Sequence, residues 1–239
     1  MWTHLPTSRR IWIYLPRSYY SDLNRHYPVV YAHDGQNLFD TSTSYSGEWG
    51  IDETLDGLSK ELIVVGVDNG GSERINELTP FANANYGGGQ ANYYLDFIVQ
   101  KLRPYINSRF RTKPDRENTG ILGSSLGGLC SFYAAIRHED VFGQIGVFSP
   151  SLWFTNDIYT YASKHVFKGS PPRLYFLGGQ LESSSMVSDM QRMIDLVKST
   201  TAEYRDDRTK LQAVVASDGQ HAEWFWRREF PAAIKWLFP

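Results

Sequence analysis

Seven short apolar runs alternate along the chain with longer stretches whose apolar residues recur every three or four positions. This alternation restricts the fold more than any other feature. The runs are residues 10–15 (RIWIYL), 27–33 (YPVVYAH), 62–67 (LIVVGV), 119–122, 144–148 (QIGVF), 173–177 (RLYFL) and 211–216 (LQAVVA). Residues 62–67 are β-branched and apolar on both faces, as a strand covered on both sides must be. Between the runs, 90–110 places Leu95, Ile98, Val99, Leu102 and Ile106 on one helical face. Residues 125–138, 186–198 and 222–237 also read as helices, the last with Trp226, Phe230, Ile234 and Leu237 in register. Strand–helix alternation predicts an α/β fold: a mostly parallel central sheet flanked by helices on both faces. We expect one domain over residues 1–239, with no separate lid domain. Two stretches lack periodicity, 34–49 and 69–89; irregular segments of this length in a compact domain tend to be functional.

Composition removes several function classes. The formal net charge is −2, so no basic excess exists to attract nucleic acid or an anionic membrane. The substrate is expected to be neutral or weakly charged. A single cysteine, Cys130, precludes an intramolecular disulfide and any zinc site built on several thiolates. No cofactor or metal is expected; Asp34 and Asp40 read as ordinary loop carboxylates. The chain shows no signal-peptide pattern, and its longest apolar run is far too short to span a bilayer, so a cytoplasmic location is expected, with secretion the alternative if a leader has been removed. Aromatic residues make up 15% of the chain, which suits a packed core and could also furnish ring walls for a ligand.

One motif carries chemistry. Gly123-Ser124-Ser125-Leu126-Gly127 is a G-x-S-x-G. It follows an apolar strand and opens a helix, the context that a nucleophile elbow requires. The flanking glycines allow a close backbone approach, and the helix N-terminus points its positive end at a developing oxyanion. Ser125 is the expected nucleophile. A serine needs a base. The chain order nucleophile, acid, histidine removes His4, His26 and His33. His138 ends the elbow helix and is expected to face solvent; His165 sits between lysines. His221 follows the last strand and a turn, on the rim where the elbow opens, and is the expected base. The acid belongs after the strand at 173–177, where Glu182 lies, with Asp218 as the alternative. The oxyanion donors are expected to be the amides of Leu126 and of Gln36, in the loop after residues 27–33. Turnover should then rise between about pH 5 and 8 as histidine loses its proton.

On these residues the chain resembles the esterase D / enterochelin-esterase-like group of α/β hydrolases, which includes feruloyl, acetylxylan and siderophore esterases. The matching segments are RIWIYLP, YPVVYAHDGQNLFD, GEWGIDE, Arg74-x-x-Glu77-x-x-Pro80, the GSSLGG elbow, SPSLWF and the terminal GQHAEW. The resemblance implies the α/β-hydrolase fold and the triad Ser125, His221 and Glu182. It also implies that Trp49 and Trp153 wall the substrate cleft, with Arg74 bracing its loop through Glu77 or meeting an anionic group of the substrate. The reading is a serine esterase that cleaves carboxylic esters through an acyl-enzyme. Its partner would be a small-molecule or oligosaccharide ester: acyl, feruloyl, acetyl-sugar or siderophore. The alternatives are acyl transfer or peptide cleavage on the same triad, and an inactive ligand-binding scaffold.

Overall fold

The computed structural model describes residues 8–165, 167 and 169–239; His4 lies outside them. Among these described residues nine strands form: β1 (Ile11–Tyr14), β2 (Val29–His33), β3 (Ile63–Val67), β4 (Ala82–Asn83), β5 (Gly87–Gly88), β6 (Thr119–Ser124), β7 (Gln144–Phe148), β8 (Arg173–Gly179) and β9 (Leu211–Ala216). Seven of them make one sheet in the order β1-β3-β2-β6-β7-β8-β9, and β4 and β5 pair as a small separate hairpin. Within the large sheet only β1 runs antiparallel, against β3. The seven apolar runs are these seven strands, with ends shifted by a residue or two. The fold is an α/β-hydrolase sheet, mostly parallel and covered by helices on both faces.

The alternation of side chains along each strand divides the core in two. Val29, Tyr31, Val65, Ile121, Ile145 and Phe176 face one layer of helices. Val30, Val64, Leu122, Phe148, Tyr175 and Leu177 face the other. The first layer holds α3 (Ala91–Phe97), α4 (Arg103–Arg109), α5 (Leu126–Arg137), α6 (Asp157–Ser163) and α7 (Met186–Thr200). The second holds α1 (Ile51–Leu58) and α9 (Glu223–Leu237). Short helices α2 (Arg74–Leu78) and α8 (Glu203–Asp206) lie in connections. The helix expected over 90–110 is present, but its middle turn, Ile98–Leu102, is a π-turn joining α3 to α4. Helix α1 and the β4–β5 hairpin fall within or beside stretches read as irregular.

Strand β6 sits at the centre of the order, so its C-terminal end opens at the middle of the sheet. The loops leaving β7, β8 and β9 lie to one side of it and those leaving β2 and β3 to the other. In a parallel sheet these C-terminal ends form the crevice where ligands bind.

Candidate active site

Ser125 bridges β6 and α5 with φ 60° and ψ −121°, a conformation that side-chain-bearing residues rarely adopt. The surroundings enforce it. The Ser125 amide donates to the Phe148 carbonyl (3.0 Å), and its own carbonyl accepts from Leu129 (3.1 Å) and Ser151 (3.0 Å). A Cβ on Gly123 would lie 2.8 Å from His33, and one on Gly128 would lie 2.6 Å from the Phe148 carbonyl oxygen. The turn is therefore as tight as the motif requires. The Ser125 hydroxyl lies 3.2 Å from the Ser151 hydroxyl. Leu126 is the first residue of α5, so its amide has no acceptor within the helix.

Glu182 and His221 come from the loops after β8 and β9. Nδ1 of His221 meets Oε2 of Glu182 at 2.6 Å. The Glu182 side chain is 1% exposed, whereas that of His221 is 38% exposed. A buried carboxylate is costly unless hydrogen bonds compensate it. Here Oε1 of Glu182 accepts from the Gly179 amide at 2.5 Å and from the Ser149 hydroxyl at 2.8 Å. The two loops meet at a pair of glycines: a Cβ on Gly179 would clash with Gly219 at 2.2 Å, and one on Gly219 with Phe225 at 2.6 Å. Two amide bonds, Gln180 to the Ala216 carbonyl (2.9 Å) and Leu181 to the Gly219 carbonyl (3.0 Å), tie the loops together. Asp218, the alternative acid, instead forms a two-pronged ion pair with Arg228 at 2.6 and 2.9 Å.

Ser125 and His221 line one cleft of about 500 Å³. Trp226 closes its floor, and its ring stands edge-on to the His221 ring at 5.2 Å. Its lining also includes Asp34, Asn37, Tyr45, Asn69, Arg74 and Glu223. Asp34 is not an ordinary loop carboxylate. It is buried, in a left-handed conformation at φ 55°. It accepts Nε and Nη2 of Arg74 at 2.7 and 2.9 Å and Nδ2 of Asn69 at 2.6 Å. Burial alone would raise its pKa; the Arg74 guanidinium and these hydrogen bonds outweigh burial and hold the carboxyl below its ordinary value. Glu223, in the first turn of α9, is buried yet has no side-chain partner among the described residues. Burial, with the nearby Asp34 charge, pushes its pKa up.

Several expectations change here. Arg74 braces its loop through Asp34 rather than Glu77, because Glu77 is taken by Arg9 (3.0 Å) and the Gly70 amide (2.8 Å). Trp49 is 3% exposed and packs among Phe148, Trp226 and Phe230; it backs the floor of the cleft rather than walling it. Trp153 is 52% exposed, edge-on to Tyr86 at 5.9 Å, and does not line the cleft. Gln36 lies in the turn after β2. Its Oε1 accepts the Asn69 amide (3.3 Å) and its carbonyl the Thr43 hydroxyl (2.8 Å), while its neighbours Asp34 and Asn37 line the cleft. His138 is largely buried rather than facing solvent. His33 lies buried beneath the elbow, with Nδ1 2.9 Å from the Tyr94 hydroxyl. Burial lowers its pKa to about 4. Cys130 is fully buried, and burial pushes its thiol well up, so it carries no thiolate. Among the described residues no cluster of three potential metal ligands occurs, and no helix is long and apolar enough to cross a membrane.

The family described as "Esterase" ("Putative esterase") matches residues 3–237. The chain belongs to this esterase family. It is a carboxylic ester hydrolase. Over 243 residues this esterase is 26% identical to the uncharacterized protein YbbA of Bacillus subtilis (strain 168), covering 98% of this chain and 94% of that one. It is 29% identical over 135 residues to the siderophore triacetylfusarinine C esterase of Aspergillus fumigatus, a match that covers 54% of this chain and 46% of that longer protein. In three dimensions it is similar to an IroE-like serine hydrolase from Shewanella oneidensis, with a TM-score of 0.71 at 23% identity, covering 93% of this esterase and 75% of that chain.

Proposed function

We propose that this esterase cleaves its substrate through an acyl-enzyme on Ser125, with His221 as base and Glu182 as the acid that orients it. One observation carries the reading: the 2.6 Å contact of Glu182 with Nδ1 of His221, on the rim of the cleft that the strained Ser125 also lines. With Nδ1 committed to the carboxylate, Nε2 is left as the acceptor for the serine proton. In the resting protein the Ser125 hydroxyl rests against Ser151. With ester bound, its proton passes to Nε2, Oγ bonds to the carbonyl carbon, and the carbonyl oxygen gains the charge. The Leu126 amide at the start of α5 meets that oxyanion, with the Gln36 amide as second donor; the latter has no acceptor among the described residues. His221 then returns the proton to the leaving alcohol. Water attacks the acyl-enzyme by the same route and frees the acid.

The exposure of the His221 ring favours water as acceptor, which supports hydrolysis over acyl transfer. The cleft's charges favour an uncharged alcohol part. Arg74, the one guanidinium among the described lining residues, is committed to Asp34, and Glu223 adds a carboxylate with no side-chain partner among them. Neutral acyl, aryl or sugar esters fit this wall better than polyanionic siderophore complexes. The test is turnover of a matched panel (p-nitrophenyl acetate and butyrate, methyl ferulate, an acetylated xylo-oligosaccharide, a trilactone siderophore) by the protein and by Ser125→Ala. Loss of roughly 10⁴-fold or more in the variant, with fluorophosphonate labelling at Ser125, is the expected outcome. Turnover that survives the substitution overturns the mechanism, and the ranking of the panel tests the substrate reading.

A further inference from the structure

The loop after β7 contributes a residue that does not line the cleft yet bonds to Glu182 and to Trp226, which does. Ser149 is fully buried and held at φ 41°, outside the range that serine ordinarily adopts. Its amide donates to the Leu177 carbonyl at 2.7 Å, which fixes the backbone there. Its hydroxyl sits between two side chains of the site. It donates to Oε1 of Glu182 at 2.8 Å and accepts from Nε1 of Trp226 at 2.8 Å. Each partner is in turn against His221: Glu182 by its other oxygen, and Trp226 by the edge-on contact of the rings. The hydroxyl has a single proton, and the indole N–H is donor-only. The incoming Trp226 bond therefore fixes which way the Ser149 proton points, and it points at Glu182.

We propose that Ser149 and Trp226 form a positioning relay that locks the Glu182 carboxylate in the orientation His221 requires. Indole N–H, serine O–H and carboxylate form a chain in which each bond aligns the next. The Gly179 amide supplies the second fixed donor to the same oxygen, Oε1. With Oε1 held by two donors, Oε2 is the oxygen left for the imidazole. Without Ser149 the carboxylate keeps one donor and gains freedom to turn away from Nδ1. The inference rests on the proposed roles of Glu182 and His221.

The test is a cycle of Ser149→Ala and Glu182→Ala, singly and together, with Trp226→Phe as an independent break in the relay. Fold is monitored by circular dichroism and thermal unfolding. A hydrogen bond to a charged group predicts a loss of about 10- to 100-fold in kcat for Ser149→Ala, with little change in KM. Trp226→Phe, which keeps an aromatic ring near His221 but removes the N–H together with part of the indole's volume, should lose about three- to tenfold. In the Glu182→Ala background, Ser149→Ala should cost nothing further, because there is no carboxylate left to orient. The same fractional loss in both backgrounds would assign Ser149 a general packing role and overturn the relay. So would a kcat within about twofold of the parent in both Ser149→Ala and Trp226→Phe. If Glu182→Ala itself retains parental kcat, the acid assignment fails first, and the relay fails with it by a result that tells the two apart.

Discussion

The backbone of Ser125 lends itself to a stability measurement that needs no substrate. At φ 60° and ψ −121° a residue with a Cβ pays of order 1–3 kcal/mol, whereas glycine adopts this region freely. Replacing Ser125 by alanine retains the penalty and removes the hydroxyl; replacing it by glycine removes both. Glycine also gains freedom in the unfolded chain, a cost of roughly 0.5–1 kcal/mol. At mid-range values the difference leaves Ser125→Gly more stable than Ser125→Ala by about 1 kcal/mol. Both variants lose the 3.2 Å contact with Ser151, so that contact cancels in the comparison. For a chain of 239 residues each kcal/mol moves Tm by roughly 2–4 °C, and the glycine variant should melt a few degrees higher. Urea unfolding of both, read by circular dichroism with equal m-values, gives the free energies directly. Equal midpoints, or a less stable glycine variant, would mean that the elbow stores no strain and that tight packing alone keeps the serine in place.

Three further outcomes follow from the wall of the cleft and the residues beneath the elbow. Arg74→Met strips the buried Asp34 carboxylate of its cation and should cost about 3 kcal/mol; the double variant with Asp34→Asn should recover much of it, and equal stability of the single variant and the parent would refute the pairing. His33 is held neutral by burial, with its pKa lowered to about 4, so between pH 6.5 and 4 the unfolded chain binds the proton and the folded one does not. Stability should therefore decline by about 3 kcal/mol as pH falls through that window, and His33→Gln should flatten the decline; a slope unchanged in the variant would assign it to other groups. Glu223→Gln removes an unpaired negative charge from the cleft and should lower KM for an anionic ester about three- to tenfold relative to its neutral analogue, with kcat little changed; an unchanged ratio would remove Glu223 from substrate selection.

The strands and the elbow were legible because each rests on local chemistry. A β-branched run such as Ile63–Val67 has few other uses, and a glycine-flanked serine between strand and helix is nearly as restrictive. Glu182 and His221 were legible as positions after the right strands; their contact is a fact of three dimensions. What the sequence hid is long-range pairing. Arg74 and Glu77 stand one helical turn apart and read as partners, yet each carries a charge committed elsewhere, Arg74 to Asp34 and Glu77 to Arg9. The resemblance put Trp49 on the cleft wall, and sequence does not show the side on which a ring is buried. Ser149, Ser151 and Glu223 were in plain view, in the SPSLWF and GQHAEW segments, but a serine or glutamate in a loop carries no local mark of the partner it will meet. The π-turn at Ile98–Leu102 is likewise silent, since its apolar residues still fall on one face.

The glycine crossing of the loops after β8 and β9 divides labour within the protein. The loops that carry Glu182 and His221 meet by backbone contact on one half of the sheet, while much of the rest of the cleft's lining comes from residues 34–46 and 69–74 on the other half. Trp49 and Glu48 tie this wall to α9 through Trp226 and Arg227, but the hydrogen bonds of residues 41–45 stay within residues 36–45, so that arc is a replaceable part. Grafting a different segment between Asp40 and Glu48 should change which ester enters without disturbing how it is cut. The scissors and the mould are separate components of one sheet, and a lineage, or an engineer, can recast the second while leaving the first untouched.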